Sequence, residues 1–153
     1  MQRPEPTIAR ATGPEEVAAC LVIRRAVFVE EQSVPVEIEM DEFDTTAIHY
    51  LARVDGEPAA TARLRLLPPV AKVQRVAVLR EHRRRGVGAA LMRAIAEEVA
   101  REREGIDTLT LGSQLAAVPF YASLGYAPHG EKFMDADIPH IEMRRPVDRP
   151  RVS

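Results

Sequence analysis

Apolar residues at Val87, Leu91, Ile95 and Val99 recur every fourth position, which predicts a long amphipathic helix with one buried stripe. Just upstream the period changes. Lys72 to Leu79 alternates, with Val73, Arg75 and Ala77 on one face and Gln74, Val76 and Val78 on the other, as in a partly buried strand. Near the N-terminus, Ile8 to Ala11 predicts a short edge strand. Thr12 ahead of Gly13-Pro14-Glu15 then predicts a capping box with proline in the first turn. The helix starting there carries Val17, Leu21, Arg24 and Phe28 on one side to about Glu31, and Pro35 ends its register. Ile48 to Val54 and Ala59 to Leu67 read as strands of a hairpin turning at Asp55-Gly56. Pro68-Pro69 separates the hairpin from the 72–79 strand, expected to pair antiparallel with it. The long helix is expected to end near Gly105 in a left-handed C-cap, after Arg101 and Arg103. Leu109 to Gly112 predicts a second buried strand. A short helix from Gln114 and two strands, around Tyr126 to Phe133 and His140 to Arg145, complete a mixed α/β pattern.

Length and composition narrow the class. At 153 residues the chain is expected to form one domain with a substantial core over about 8–147; residues 1–6 and 148–153, rich in proline and charge, read as loose ends. Lys plus Arg is 21 and Asp plus Glu is 23, so the net charge of −2 offers no general attraction to nucleic acid. No apolar run approaches the length of a membrane span, and MQRPEPTIAR lacks the apolar core of a signal peptide, so a soluble, cytoplasmic protein without membrane or nucleic-acid partners is expected. Cys20, the sole cysteine, falls among apolar helical residues and reads as packing. His49, His82, His129 and His140 show no short ligand spacing, so no metal is expected.

The chemistry concentrates at Arg83-Arg84-Arg85-Gly86-Val87-Gly88, between the alternating strand and the long helix. First-turn N–H groups of a helix have no intrahelical partner and carry partial positive charge, so they hold anions. Gly86 and Gly88 let phosphate oxygens approach the backbone, and the arginines add charge and bidentate donors. A dinucleotide fingerprint would need a third glycine where Leu91 stands, and no Gly-Lys-Ser/Thr of a Walker loop follows. A solvated basic turn, or one touching nucleic acid, is the plainer alternative.

The pattern Arg83-x-x-Gly86-x-Gly88, after Val76-Ala77-Val78 and before the helix, resembles the acyl-coenzyme A signature of the GNAT N-acetyltransferase superfamily. Gln114 followed by Phe120-Tyr121-Ala122-Ser123-Leu124-Gly125-Tyr126 resembles that family's second motif. The resemblance implies a largely antiparallel twisted sheet flanked by helices, and acetyl-coenzyme A as cosubstrate. Pantetheine contacts from Val76, Ala77 and Val78, and pyrophosphate contacts from Arg83, Arg84, Arg85, Gly86, Val87, Gly88 and Ala89, follow from it. Gln114 stands where an asparagine is usual. Tyr121 matches the tyrosine assigned as general acid toward the coenzyme A sulfur; a packed aromatic of the Phe120/Tyr121/Tyr126 cluster is the alternative.

The base is open, because Gln74 stands where some relatives place a carboxylate and an amide takes no proton at neutral pH. Glu30, Glu31, Glu39, Asp41, His49, Glu131 and His140 are the candidates, with Glu131 and His140 the bases carried forward. Arg25 and Val27 to Gln32, Glu39-Met40-Asp41, His49, Gly130-Glu131 and Ile138-Pro139-His140 add a narrower resemblance to a small bacterial GNAT branch of mostly unassigned acceptors, with Phe28, Glu31, Glu39, Asp41 and His49 as substrate-binding candidates. Five carboxylates from Glu37 to Asp44 suggest steering of a cationic amine, or else a solvated acidic loop. The leading expectation is an N-acetyltransferase acting on a primary amine of a small molecule or peptide, by direct transfer, with a homodimer among the assemblies allowed. A non-catalytic acyl-coenzyme A sensor is the alternative.

Overall fold

The computed structural model describes residues 5–149. The expected loose ends fall mostly outside them: nothing is described at 1–4 or 150–153. Seven strands and four α-helices follow in the order β1 (Thr7–Arg10), α1 (Gly13–Arg24), α2 (Val36–Glu39), β2 (Ile48–Val54), β3 (Glu57–Leu67), β4 (Val70–Val78), α3 (Val87–Glu102), β5 (Thr108–Gln114), α4 (Val118–Ser123), β6 (Ala127–Asp135) and β7 (Ile138–Pro146). The strands form a mixed, mostly antiparallel sheet in the order β1-β2-β3-β4-β5-β7-β6, with β4 and β5 parallel. Two compact units divide the chain. One contains the residues up to Arg65 with Arg75–Leu91; the other contains Leu66–Gln74 and the chain from Met92.

In the first unit, α1 buries Cys20, Ile23 and Val27 against Leu51 of β2 and Ala77 of β4. The buried stripe therefore runs one position off the expected Val17, Leu21 and Phe28 line; Leu21 and Phe28 are half-buried at its flank. Arg24, on the expected apolar side, is indeed buried. The N-terminus of α1 is also closed differently: Thr12 N–H and Oγ1 both donate to Glu16 Oε1, at 3.0 and 2.8 Å, and not to Glu15. Beyond Arg24 the chain widens into a π-helical segment, Arg25–Glu31, and Val34 N–H donates to the Phe28 carbonyl where it ends. Burial pushes the Cys20 thiol up and its Sγ lies 3.5 Å from the Tyr50 carbonyl oxygen, in keeping with a packing role.

In the second unit, Val73 of β4 pairs with Leu111 of β5, and the register runs back to Val70 and Thr108. β5 continues antiparallel to β7 as far as Gln114 opposite His140. Met92, Ile95 and Val99 of α3 are buried, as are Leu109, Leu111 and Met143. Gly105 does not take a left-handed conformation, contrary to expectation. Carbonyls at and just past the end of α3 are met from elsewhere: Arg149 donates through Nε to Ala100 O at 3.1 Å and through Nη2 to Arg103 O, which also accepts the Ile106 N–H. A guanidinium there complements the negative end of the helix dipole, so the chain end does what the glycine was expected to do. Arg149→Ala is expected to cost about 1–2 kcal/mol, measured by denaturant unfolding.

Candidate functional site

The turn ahead of α3 has the conformation its glycine allows. Gly86 sits at φ +79°, and nothing lies within 4 Å of where a Cβ would stand, so its solvent face is open. Ala90 N–H makes the first helical bond, to Gly86 O at 3.0 Å. Val87, Gly88 and Ala89 thus supply first-turn N–H groups without intrahelical acceptors. Arg84 and Arg85 are exposed beside them, with Arg84 also left-handed at φ +63°. These features fit an anionic group of pyrophosphate type.

Arg83 is engaged elsewhere. Its Nη1 and Nη2 donate to Glu31 Oε2 and Oε1 at 2.9 and 2.8 Å, and its Nε donates to Val78 O at 3.0 Å. The fork ties the end of the π-helical segment to the end of β4, and its hydrogen bonds hold the Glu31 carboxyl below the ordinary carboxylate range. Phe28 is half-buried at the middle of that segment. Further back on β4, Ala71, Val73 and Ala77 are buried as the alternation predicts, and Val76 and Val78 lie beyond the last residue paired with β5. Arg75 adopts φ +54°, a left-handed conformation unfavourable to a residue with a side chain.

Three arginines and three carboxylates form the electrostatic centre of the first unit. Arg24 reaches Glu39 Oε1 and Asp44 Oδ1, each at 2.6 Å, and Glu39 O at 3.0 Å. Arg63 reaches Asp41 Oδ1 at 2.6 Å and Asp44 Oδ1 at 2.9 Å. Arg75 donates to Glu39 O at 3.1 Å and to Asp41 Oδ2 at 3.3 Å. Arg24 and Arg63 are each 1% exposed and Glu39 4%. Burial works to raise the Asp44 and Asp41 carboxyls, but arginine and backbone hydrogen bonds outweigh it and hold both below their ordinary value. The expected field of five carboxylates is therefore corrected: Glu39, Asp41 and Asp44 are compensated charge for charge, and Glu37 and Glu42 remain exposed. A signal for this network existed in the sequence. Arg24 shares a helical side with Leu21 and Phe28, and Arg75 shares a strand face with Val73 and Ala77, and a guanidinium on an apolar face needs acidic partners.

His49, buried on β2 opposite Arg63, belongs to the same assembly. A carbonyl can only accept, so Nε2, 2.8 Å from Asp44 O, carries the proton; Nδ1 is buried with no hydrogen-bond partner.

The second unit holds the acid–base candidates. Tyr121, on α4, is 9% exposed and meets Phe120 and Tyr126 edge-on, at ring-centroid distances of 5.0 and 6.1 Å. Burial, with Tyr126 adding to it, pushes its phenol well above the ordinary value, so it stays protonated at neutral pH. Its hydroxyl makes no hydrogen bond among the described residues. His140, buried on β7, has Nδ1 2.7 Å from Ile138 O and its ring stacked on Phe133 at 5.7 Å. The same carbonyl argument puts the proton on Nδ1 and leaves Nε2 as a lone pair. Gln114 faces His140 across the β5–β7 ladder. Glu131 stands exposed in the bulge of edge strand β6, between His129 and Phe133, where the register slips. Among the described residues no group of three or more His, Cys, Asp or Glu is placed to hold a metal, and no helix is long and apolar enough to cross a membrane.

Residues 8–146 match the family model described as Acetyltransferase (GNAT) domain. The uncharacterized N-acetyltransferase YjcF of Bacillus subtilis is 37% identical over 136 residues, covering 88% of this chain and 96% of that protein. Among solved structures, Escherichia coli ElaA superposes with a TM-score of 0.78 at 30% identity, over 93% of this chain and 99% of its own. An acyl-CoA N-acyltransferase from Pseudomonas aeruginosa gives 0.77, also at 30% identity and with the same two coverages.

The ion network generates a stability prediction. Asp44→Ala leaves Arg24 and Arg63 short of a carboxylate and is expected to cost about 3–5 kcal/mol in denaturant unfolding, as for a broken buried pair. Because the folded-state values of Asp41 and Asp44 lie below those of an unfolded chain, their stabilisation is complete above the unfolded carboxylate range near pH ~4 and is lost as pH falls through the depressed values. Unfolding free energy measured between neutral and strongly acidic pH should fall less steeply in Asp44→Ala than in the wild type.

Proposed function

The chain belongs to the GNAT acetyltransferase family, whose members use an acyl-CoA cosubstrate and act on amine acceptors, and from that premise we propose that it transfers an acetyl group from acetyl-CoA directly to a primary amine of a small molecule or peptide. The observation that carries this reading is the opening of α3: left-handed Gly86, clear space over it, and the free N–H groups of Val87, Gly88 and Ala89. Acetyl-CoA, when bound, supplies an activated thioester acyl group. Backbone amides at 86–89 would hold its pyrophosphate, with Arg84 and Arg85 adding charge. Arg83 acts mainly through its fork to Glu31. Val76 to Val78, beyond the last β5 pair, offer backbone groups to the amides of the pantetheine arm, as a strand edge offers them to a peptide. Gln114 is a further proposed contact to the cofactor.

His140 is the proposed base: the bond from Nδ1 to Ile138 O leaves Nε2 to take the proton that the amine loses as its nitrogen bonds to the acyl carbon. Tyr121 is the proposed acid. Its raised pKa keeps the phenolic proton in place until it is given to the departing thiolate sulfur as the carbon–sulfur bond breaks. Glu131, exposed on its bulge, is less suited to a controlled proton transfer. Phe28 and Glu31 of the π-helical segment are assigned to the acceptor wall.

Incubation with acetyl-CoA and an amine panel, with thiol release followed and the acylated product identified by mass, tests the reaction. Gly88→Leu, at the second position of α3 where a side chain suits a helix, should keep the fold and weaken coenzyme A binding by at least ~10-fold, about 1.4 kcal/mol by titration calorimetry. Arg83→Ala should weaken it less. Tyr121→Phe and His140→Asn should each lower turnover by roughly 10²- to 10⁴-fold with little change in coenzyme A affinity. Tight coenzyme A binding without acylation of any amine would favour the sensor reading instead.

A further inference from the structure

Within the ion network the three arginines are not equally used. Arg24 and Arg63 hold carboxylate oxygens at 2.6 Å, whereas Arg75 has two backbone carbonyls, Glu39 O at 3.1 Å and Ile38 O at 3.4 Å, and two distant carboxylate oxygens, Asp41 Oδ2 at 3.3 Å and Glu39 Oε1 at 3.6 Å. Its Nη1 makes no hydrogen bond among the described residues. At 21% exposed, Arg75 is the arginine of the three that solvent reaches, and it stands on β4 immediately before Val76, in a strained left-handed conformation. A guanidinium with an unused N–H pair in a half-buried setting is a donor prepared for an oxyanion.

We propose that Arg75 binds a carboxylate of the acceptor through Nη1, so that the acceptor is an amine carrying its own carboxylate, of the amino-acid class. The assignment rests on the acetyltransferase reading for its place in catalysis, but not for binding. Burial, and the like charges of Arg63 and Arg24, lower the Arg75 pKa against the pull of Asp41 and Glu39, so a carboxylate beside Nη1 relieves a cation that is under-compensated where it stands. The network as a whole is neutral, three against three, so it neither repels such an acceptor nor draws a cationic one from a distance. Arginine suits the task better than lysine because its planar fork can keep two donors on the loop carbonyls while a third nitrogen meets the ligand.

The experiment compares matched pairs: each free amino acid against the amine left when its α-carboxylate is removed, such as phenylalanine with phenethylamine and lysine with cadaverine. At saturating acetyl-CoA, kcat/KM should favour the carboxylated member of the preferred pair by about 10- to 100-fold, mostly through KM. Arg75→Gln should collapse that ratio and Arg75→Lys should restore part of it. A second measurement needs no turnover. With coenzyme A present, calorimetric titration should show N-acetyl amino acids binding more tightly than the matching N-acetyl amines, with the difference lost in Arg75→Gln. If Arg75→Gln fails to fold, Arg75→Lys, which keeps the charge and loses the fork, carries the comparison, and an unchanged carboxylate preference in a folded Arg75 variant overturns the assignment. Equal or better binding of the uncharged N-acetyl amines across the panel overturns the assignment, even in a protein that transfers nothing. Absence of acylation together with a carboxylate preference in the titration that is lost in the Arg75 variant overturns the transferase reading and supports Arg75.

Discussion

Placing Arg24 and Arg63 in the interior of the first unit is the constraint on which its architecture depends. A guanidinium so fully removed from water is tolerated only with carboxylates in contact, and those come from one segment, Glu39 to Asp44. That segment has almost no regular structure: four residues of helix, and a 3₁₀ turn at Glu42–Thr45 capped by the Asp41 side chain. Its position is set by charge pairing, and the pairing reaches α1, β3 and β4 at once. Such a network is costly to break at a single point, because removing one member strands the others. It also gives the loop a single geometry, which a loop of this composition would not have from propensity alone.

The periodic elements were legible. The β4 alternation, the α3 stripe, the Asp55-Gly56 hairpin and the two C-terminal strands all lie within a few residues of where spacing placed them. So was the glycine turn, since Gly86 takes the positive φ that only a glycine adopts without strain. What failed to show was long-range. Capping by Glu16 in place of Glu15 is a choice between adjacent acids that no period distinguishes. The end of α3 depends on Arg149, some fifty residues of chain away, and local rules pointed to Gly105. The acidic segment looked like an exposed field because a carboxylate count carries no information about which arginines lie beside it. Likewise Arg83, read by its motif as a phosphate ligand, spends its fork on Glu31, a residue from a different part of the chain.

The two histidines separate by the same local argument. Each donates from one ring nitrogen to a backbone carbonyl. In His49 the remaining nitrogen is sealed among network residues, so the ring serves as a brace for Asp44. In His140 the remaining nitrogen is not sealed, and the ring is held flat against Phe133. Identical residues at similar burial thus differ in what their second nitrogen can do.

The π-helical segment changes how this part of the chain must be read. Each i→i+5 turn holds one residue more than an α-turn, and one extra residue rotates everything after it by about 100° relative to a continued α-helix. Between Arg24 and Glu31 the helical reading frame is therefore broken, much as a single inserted letter shifts a phrase. Glu30 and Glu31 are chemically alike, and a fixed period cannot say which of them meets a basic partner. Here it is Glu31 that meets Arg83, although both acids are exposed. A one-residue deletion ahead of Glu30 would remove the extra residue and return the segment to α-phase while leaving both acids on the sides they now occupy. A segment one residue shorter would therefore present the same clasp from a continuous α-helix, and the extra residue is an insertion that the helix absorbs by widening instead of by turning its far end.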